Sequence, residues 1–103
     1  MASTHDYEID SRNDNIQIYI DGQFFSRANA KVSVMDSGYL LGDGVWEGIR
    51  LYNNHLIHLE KHLERLYEGA ETIQMDIGIS KSEMKSAIEK TLKKNEMISD
   101  VHI

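Results

Sequence analysis

Ile16, Ile18 and Ile20 alternate with Gln17, Tyr19 and Asp21, and Asp21-Gly22 then leads into Phe24-Phe25. A period of two sends successive side chains to opposite faces of a strand, and an Asp-Gly pair accepts the positive φ angles of a two-residue hairpin turn. A half-buried β-hairpin is predicted here. Val32-Ser33-Val34-Met35 briefly repeats the alternation, and Asp36-Ser37-Gly38 reads as a turn after it. Residues 45–52 form the next expected strand, which Asn53-Asn54 turns back into His55-Leu56-Ile57-His58 as a second hairpin.

The period then lengthens. Leu59, Leu63, Leu66, Ala70 and Ile73 recur at helical spacing and predict an amphipathic helix from Leu59 to about Gln74. Ser80-Lys81-Ser82-Glu83 has the capping-box form, and Met84, Ala87, Ile88, Thr91 and Leu92 continue a second helix. Lys93-Lys94-Asn95 suits its end, because cations favour the negative pole of the helix dipole and Asn tolerates a left-handed cap. Asp100-Val101-His102-Ile103 reads as an opening strand, and an apolar end inside a strand suggests a piece of a longer protein. The expectation is an α+β fold, a mostly antiparallel sheet of hairpins with two amphipathic helices packed on it. Residues 1–14, polar and aperiodic, are expected to be a flexible N-terminus, and residues 15–103 one small domain.

Composition narrows the function classes. With 103 residues the chain makes one domain at most, and its 41% hydrophobic and 27% charged content is that of a globular protein. Eleven Lys and Arg against 17 Asp and Glu leave a charge of -6, which opposes binding to nucleic acid and to anionic membranes. There is no cysteine, hence no disulfide framework and no thiolate nucleophile, and no apolar run has the length of a membrane span or a signal peptide. The expected location is cytoplasmic.

One stretch concentrates the unusual residues. Residues 38–52 hold four of the seven glycines, the single tryptophan, and Glu47 and Arg50 within a strand-like run. A glycine-dense turn feeding such a strand suits the wall of a site, although a tight turn before an ordinary core strand has the same composition. In a strand, Glu47 and Arg50 would point to opposite faces. On the first helix His58, His62, Arg65 and Gly69 fall within about 60° of one another, just outside the apolar stripe. An arginine there suits an anion such as phosphate, and a solvated helix flank is the plainer alternative. His58-Leu59-Glu60-Lys61-His62 does not have the spacing of the zinc-protease motif, so no metal is expected. Gly42-Asp43-Gly44 with Gly48 likewise departs from a dinucleotide fingerprint, because its third glycine comes late and a strand follows. The lysines fall mostly on the polar side of the second helix, as a solvated face.

The blocks Val32-Ser33-Val34-Met35-Asp36-Ser37-Gly38, Gly42-Asp43-Gly44-Val45-Trp46-Glu47-Gly48-Ile49-Arg50 and Leu59-Glu60-Lys61-His62-Leu63-Glu64-Arg65-Leu66 closely resemble the N-terminal small domain of class IV pyridoxal-phosphate aminotransferases. That group includes the branched-chain and D-amino acid aminotransferases and the aminodeoxychorismate lyases. The resemblance implies that Arg65 binds the phosphate of pyridoxal 5'-phosphate and that Trp46 and Gly48 line the substrate pocket. It further implies that the loop from Tyr39 to Leu41 lies near the interface of a homodimer and contributes to the substrate pocket. Glu47 and Arg50 are expected to support the architecture of the pocket. The Schiff-base lysine of such enzymes comes from a C-terminal domain, so no catalytic residue is assigned here and the 103-residue chain alone is expected to be inactive. The implied parent is an aminotransferase acting between an amino acid, a branched-chain L-amino acid first, and a 2-oxo acid. The alternatives are an aminodeoxychorismate lyase of the same fold and a non-catalytic oligomerisation module.

Overall fold

In the computed structural model, which describes residues 9–103, the first hairpin pairs β1 (Gln17–Ile20) with β2 (Gln23–Ser26), Ile18 standing opposite Phe25 and Tyr19 opposite Phe24. Asp21 and Gly22 take φ of 49° and 86°, the positive pair that a two-residue turn between twisted strands requires. The sheet is only two-stranded and depends on a helix for support. Asn95 supplies part of it. Its Oδ1 accepts from the Gln17 amide at 2.8 Å, and its Nδ2 donates to the Gln17 carbonyl at 2.9 Å.

The second hairpin joins β3 (Arg50–Tyr52) to β4 (His55–Leu56) through Asn53 and Asn54, both at positive φ. On the other edge of β3 lies β5 (Val101–His102), also antiparallel, giving the order β4-β3-β5. The strand expected over residues 45–52 is therefore shorter on the ladder, and only Ile49 extends it, exchanging 2.8 Å backbone hydrogen bonds with Ile103. Residues 45–48 have no partner strand among the described residues.

Two helices cover this sheet. α2 (Leu59–Thr72) and α3 (Lys81–Lys94) bury the stripes that their periodicity predicts: Ile49, Leu59, Leu63 and Ile88 form the core, flanked by Leu56, Leu66, Met84, Leu92 and Ile103. Ile73, the last residue of the first stripe, is the C-cap and stays 44% exposed. The capping box of α3 is complete, with Ser80 and Glu83 each accepting the other's backbone N–H. The left-handed residue at its end is Glu96, not Asn95, whose side chain is engaged on Gln17. The fold is α+β, as expected.

Two local expectations are corrected. Val32, Val34 and Met35 do not form a strand and remain exposed. Ser33 Oγ accepts the Met35 amide and the Ser33 carbonyl accepts the Asp36 amide, so the hydroxyl residue bends the backbone out of an extended path. The turn and loop read over residues 36–41 are a single-turn helix, α1 (Ser37–Leu41), capped by Asp36 through the Gly38 amide at 2.8 Å. The expected flexible segment, residues 1–14, lies outside the described residues up to residue 8. Within it Ser11–Asn13 form a 3-10 turn, and Arg12 donates to the carbonyls of Ser99 and Asp100 at 2.7 and 2.8 Å. No helix among the described residues is long and apolar enough to cross a membrane.

Candidate functional site

Alternation places Val45, Glu47, Ile49 and Leu51 on the face of the extended segment that looks toward α2, and Trp46, Gly48, Arg50 and Tyr52 on the other. Ile49 and Leu51 are buried, Val45 stands against Gly69, and Trp46 is 84% exposed. Glu47 is thus a carboxylate in an inward row of apolar residues, with a side chain only 7% exposed. Such a group is costly to bury unless hydrogen bonds replace its water. Both its oxygens are satisfied from α2.

Arg65 meets Glu47 along one edge of its guanidinium. Nε donates to Oε1, and Nη2 donates to Oε2 at 2.7 Å. His62, one turn earlier, places Nδ1 3.0 Å from Oε2. The spacing of three residues puts both side chains on the same helix face, where one acceptor reaches both. The hydrogen bonds from Arg65 and then from His62 hold the Glu47 carboxyl at about 2, against an ordinary 4.5, while loss of water opposes them. An ionised carboxylate only accepts, so the His62 Nδ1 carries the proton in this contact. The Arg65 guanidinium is in turn pushed up by Glu47, and its side chain remains 72% exposed.

The pair forms one border of a cavity of about 610 Å³, lined by Val45, Trp46, Glu47, Gly48, Arg65, Leu66, Gly69 and His102. That volume is in the range of a small-molecule site. The cavity unites three of the residues singled out from the sequence: Trp46, Gly48 and Arg65. Gly48 leaves room for its neighbour, since a Cβ there would meet the end of the exposed His102 imidazole and oblige the ring to turn aside. Tyr39 and Leu41 sit on α1, exposed, and do not line this cavity. Arg50 turns away on the opposite face and stacks over Tyr52 at 5.1 Å. His58, the left-handed N-cap of α2, lines a different cleft, with Lys61, Lys85 and Met97.

The sequence assigns Glu47 a supporting place in the pocket without naming its partners, His62 and Arg65, and it gives His102 no role. For Glu47 the signal was present. A carboxylate at an inward position of a strand needs a donor, and His62 and Arg65 already shared one flank of the neighbouring helix. His102 gave no such signal, because only the pairing of β5 with β3 brings its ring to Gly48.

Residues 44–102 match the family model described as amino-transferase class IV. The chain is 43% identical over 82 residues to a protein of Methanocaldococcus jannaschii named "Putative branched-chain-amino-acid aminotransferase", a match covering 80% of this chain and 28% of that protein. It is 35% identical over 83 residues to D-alanine aminotransferase of Staphylococcus epidermidis, covering 81% of this chain and 29% of the relative. Among solved structures, branched-chain aminotransferase from Thermoproteus uzoniensis with norvaline superposes with a TM-score of 0.78 at 30% identity, over 85% of this chain and 31% of that one. A second solved structure, T.th. branched-chain amino acid aminotransferase complexed with N-(5'-phosphopyridoxyl)-L-glutamate, gives a TM-score of 0.75 at 29% identity, over 82% of this chain and 30% of that one. The chain spans less than a third of the length of these relatives.

Proposed function

The chain belongs to the class IV aminotransferase family, and from that premise we propose that it is the N-terminal small domain, residues 15–103, of a pyridoxal-phosphate enzyme that moves an amino group from an amino acid to a 2-oxo acid. The observation that carries the reading is the convergence of Trp46, Gly48 and Arg65 on one cavity. Arg65 is the phosphate ligand, and Trp46 with Gly48 is the substrate wall.

The residues present fit the phosphate end of the cofactor. Of the five N–H groups of a guanidinium, the two facing Glu47 are engaged, which leaves the Nη1/Nη2 edge open among the described residues, the fork that matches phosphate oxygens. Glu47 is committed to Arg65 and His62 and is not free to serve a pyridine nitrogen. When bound, pyridoxal phosphate supplies the electron sink of the reaction. The chain's own part is to hold the phosphate and shape one wall. None of the described residues that line the cavity is a lysine, which supports the reading that the 103-residue chain alone is inactive, to be tested by the turnover assay below.

The relatives named for branched-chain amino acids and the matching solved structures support a branched-chain L-amino acid as donor. The relatives named D-alanine aminotransferase support a second reading, a D-amino acid donor. The exposed apolar side chains of Val34, Met35, Tyr39 and Leu41 support a homodimer in which this segment lies at the interface and contributes to the substrate pocket. The location proposed for the enzyme is the cytoplasm, with which a chain free of cysteine is compatible.

Two measurements test the proposal. The polypeptide carrying this domain, assayed with L-leucine, L-valine, D-alanine and aminodeoxychorismate, is expected to transfer the amino group of a branched-chain L-amino acid. Turnover of aminodeoxychorismate alone would refute the aminotransferase reading. The 103-residue chain is expected to bind phosphate through Arg65 and to show no turnover, and phosphate binding unaltered in Arg65→Met would remove the assignment.

A further inference from the structure

Resting on the reading of Arg65 as the phosphate ligand, we propose that Glu47 is the positioning residue of the site, holding the guanidinium by a two-point contact so that its Nη1/Nη2 edge is fixed for the phosphate. Arg65 is a long, exposed side chain, and a free one spreads over many rotamers that binding would have to restrict. Glu47 removes that freedom in advance. Contact through Nε and Nη2 fixes both the plane of the guanidinium and its rotation about the chain, which a single hydrogen bond would not do.

The carboxylate is itself anchored. It is nearly buried, it issues from an extended segment tied to β5 by the Ile49–Ile103 hydrogen bonds, and His62 holds Oε2 from the side. Arg65 therefore meets a fixed acceptor. The arrangement spans two elements, since His62 and Arg65 come from α2 and Glu47 from the segment before β3.

A competing physical effect makes the inference decidable. Glu47 also puts a negative charge beside Arg65 and weakens the attraction of the pair for a dianion. If positioning dominates, removing the charge weakens phosphate binding. If neutralisation dominates, removing it strengthens binding. The two effects differ in sign.

The test uses the 103-residue chain, titrated separately with inorganic phosphate and with pyridoxal 5'-phosphate. Wild type, Glu47→Gln, Glu47→Asp and Arg65→Met are compared, with circular dichroism to confirm folding. The Arg65 Nε–H resonance in nitrogen-15 NMR reports the contact without ligand. Glu47→Gln is expected to broaden that resonance by exchange and to weaken binding of both probes about tenfold, the scale of one charge-assisted hydrogen bond. Glu47→Asp keeps the charge on a shorter arm and is expected to fall between. Should Glu47→Gln fail to fold, the aspartate variant decides alone. Binding equal to or tighter than wild type in a folded Glu47 variant, with Arg65→Met still defective, overturns positioning and leaves the role of Arg65 standing. Binding unaffected by Arg65→Met overturns both.

Discussion

Leu63→Ala removes the side chain on which the placement of α2 depends most. Leu63 is 2% exposed and packs within the core of Ile49, Leu59 and Ile88, between the positions from which His62 and Arg65 reach Glu47. Buried Leu→Ala changes cost about 2–5 kcal/mol, the spread depending on how far the site collapses around the cavity. Here the strand side of the cluster is held by the backbone hydrogen bonds that Ile49 exchanges with Ile103, so collapse is restricted and a loss of about 3–5 kcal/mol is expected. Against a total stability of about 5–15 kcal/mol for a small domain, that is a large fraction. The assay is urea unfolding followed by circular dichroism, with the slope held to the wild-type value so that a shift in midpoint reports stability. Ile73→Ala is the internal control: it belongs to the same stripe but is 44% exposed, and it should cost less than about 1 kcal/mol. Leu63→Met, which conserves volume, should cost less than about 1.5 kcal/mol. A loss at Leu63→Ala no larger than at Ile73→Ala would refute the assignment of the core.

Other perturbations reach separate links. Glu47 has a folded pKa of about 2 against 4.5, so its contribution to stability is complete above pH 4.5 and is lost as the pH falls toward 2. Urea midpoints measured from about pH 6 to about pH 2 should fall less steeply in Glu47→Gln than in wild type, and parallel profiles would contradict the shift. Asn95→Ala leaves the Gln17 amide and carbonyl without their partners and should destabilise the docked hairpin by about 1–3 kcal/mol. Faster amide exchange in β1 and β2 than in α2 is the expected signature, and uniform acceleration would count against a local role. Gly48→Ala puts a Cβ where the end of the exposed His102 ring lies, so the ring must turn aside and the cost should be about 0.5–1.5 kcal/mol. The same change in a His102→Ala background should cost clearly less, and an undiminished cost would mean that the ring is not what the glycine accommodates.

The parts of the fold that follow from short-range chemistry were legible. Asp21-Gly22 and Asn53-Asn54 name their turns, because few residues accept positive φ at adjacent positions. The stripe from Leu59 and the Ser80–Glu83 capping box gave both helices within two residues. Failure came where a local hydrogen bond competed with the apolar pattern. Val32-Ser33-Val34 has the alternation of a strand, yet Ser33 and Asp36 turn the backbone through their own side chains, and no strand among the described residues lies alongside to offset the cost of extension. At the end of α3, Asn95 suited a left-handed cap by propensity, but its amide is engaged across the fold on Gln17, and the positive φ passed to Glu96.

For the site, the difficulty lay in joining two periodicities. A period of two puts Glu47 in the row of Val45, Ile49 and Leu51, and a period of 3.6 puts His62 and Arg65 on one flank of the next helix. Each is readable alone, and each alone has a plain alternative, a strand position or a solvated flank. Their combination has far fewer. An inward carboxylate must be neutralised or hydrogen-bonded, and the helix that packs on its strand offers one guanidinium and one imidazole at the right spacing. The depressed pKa of Glu47 expresses that pairing. The contact with Glu47 uses only one edge of the guanidinium, so the interaction that satisfies a nearly buried carboxylate also leaves a cation bordering the cavity, and the anion recognition proposed for Arg65 would draw on the same arginine that this structural need holds in place.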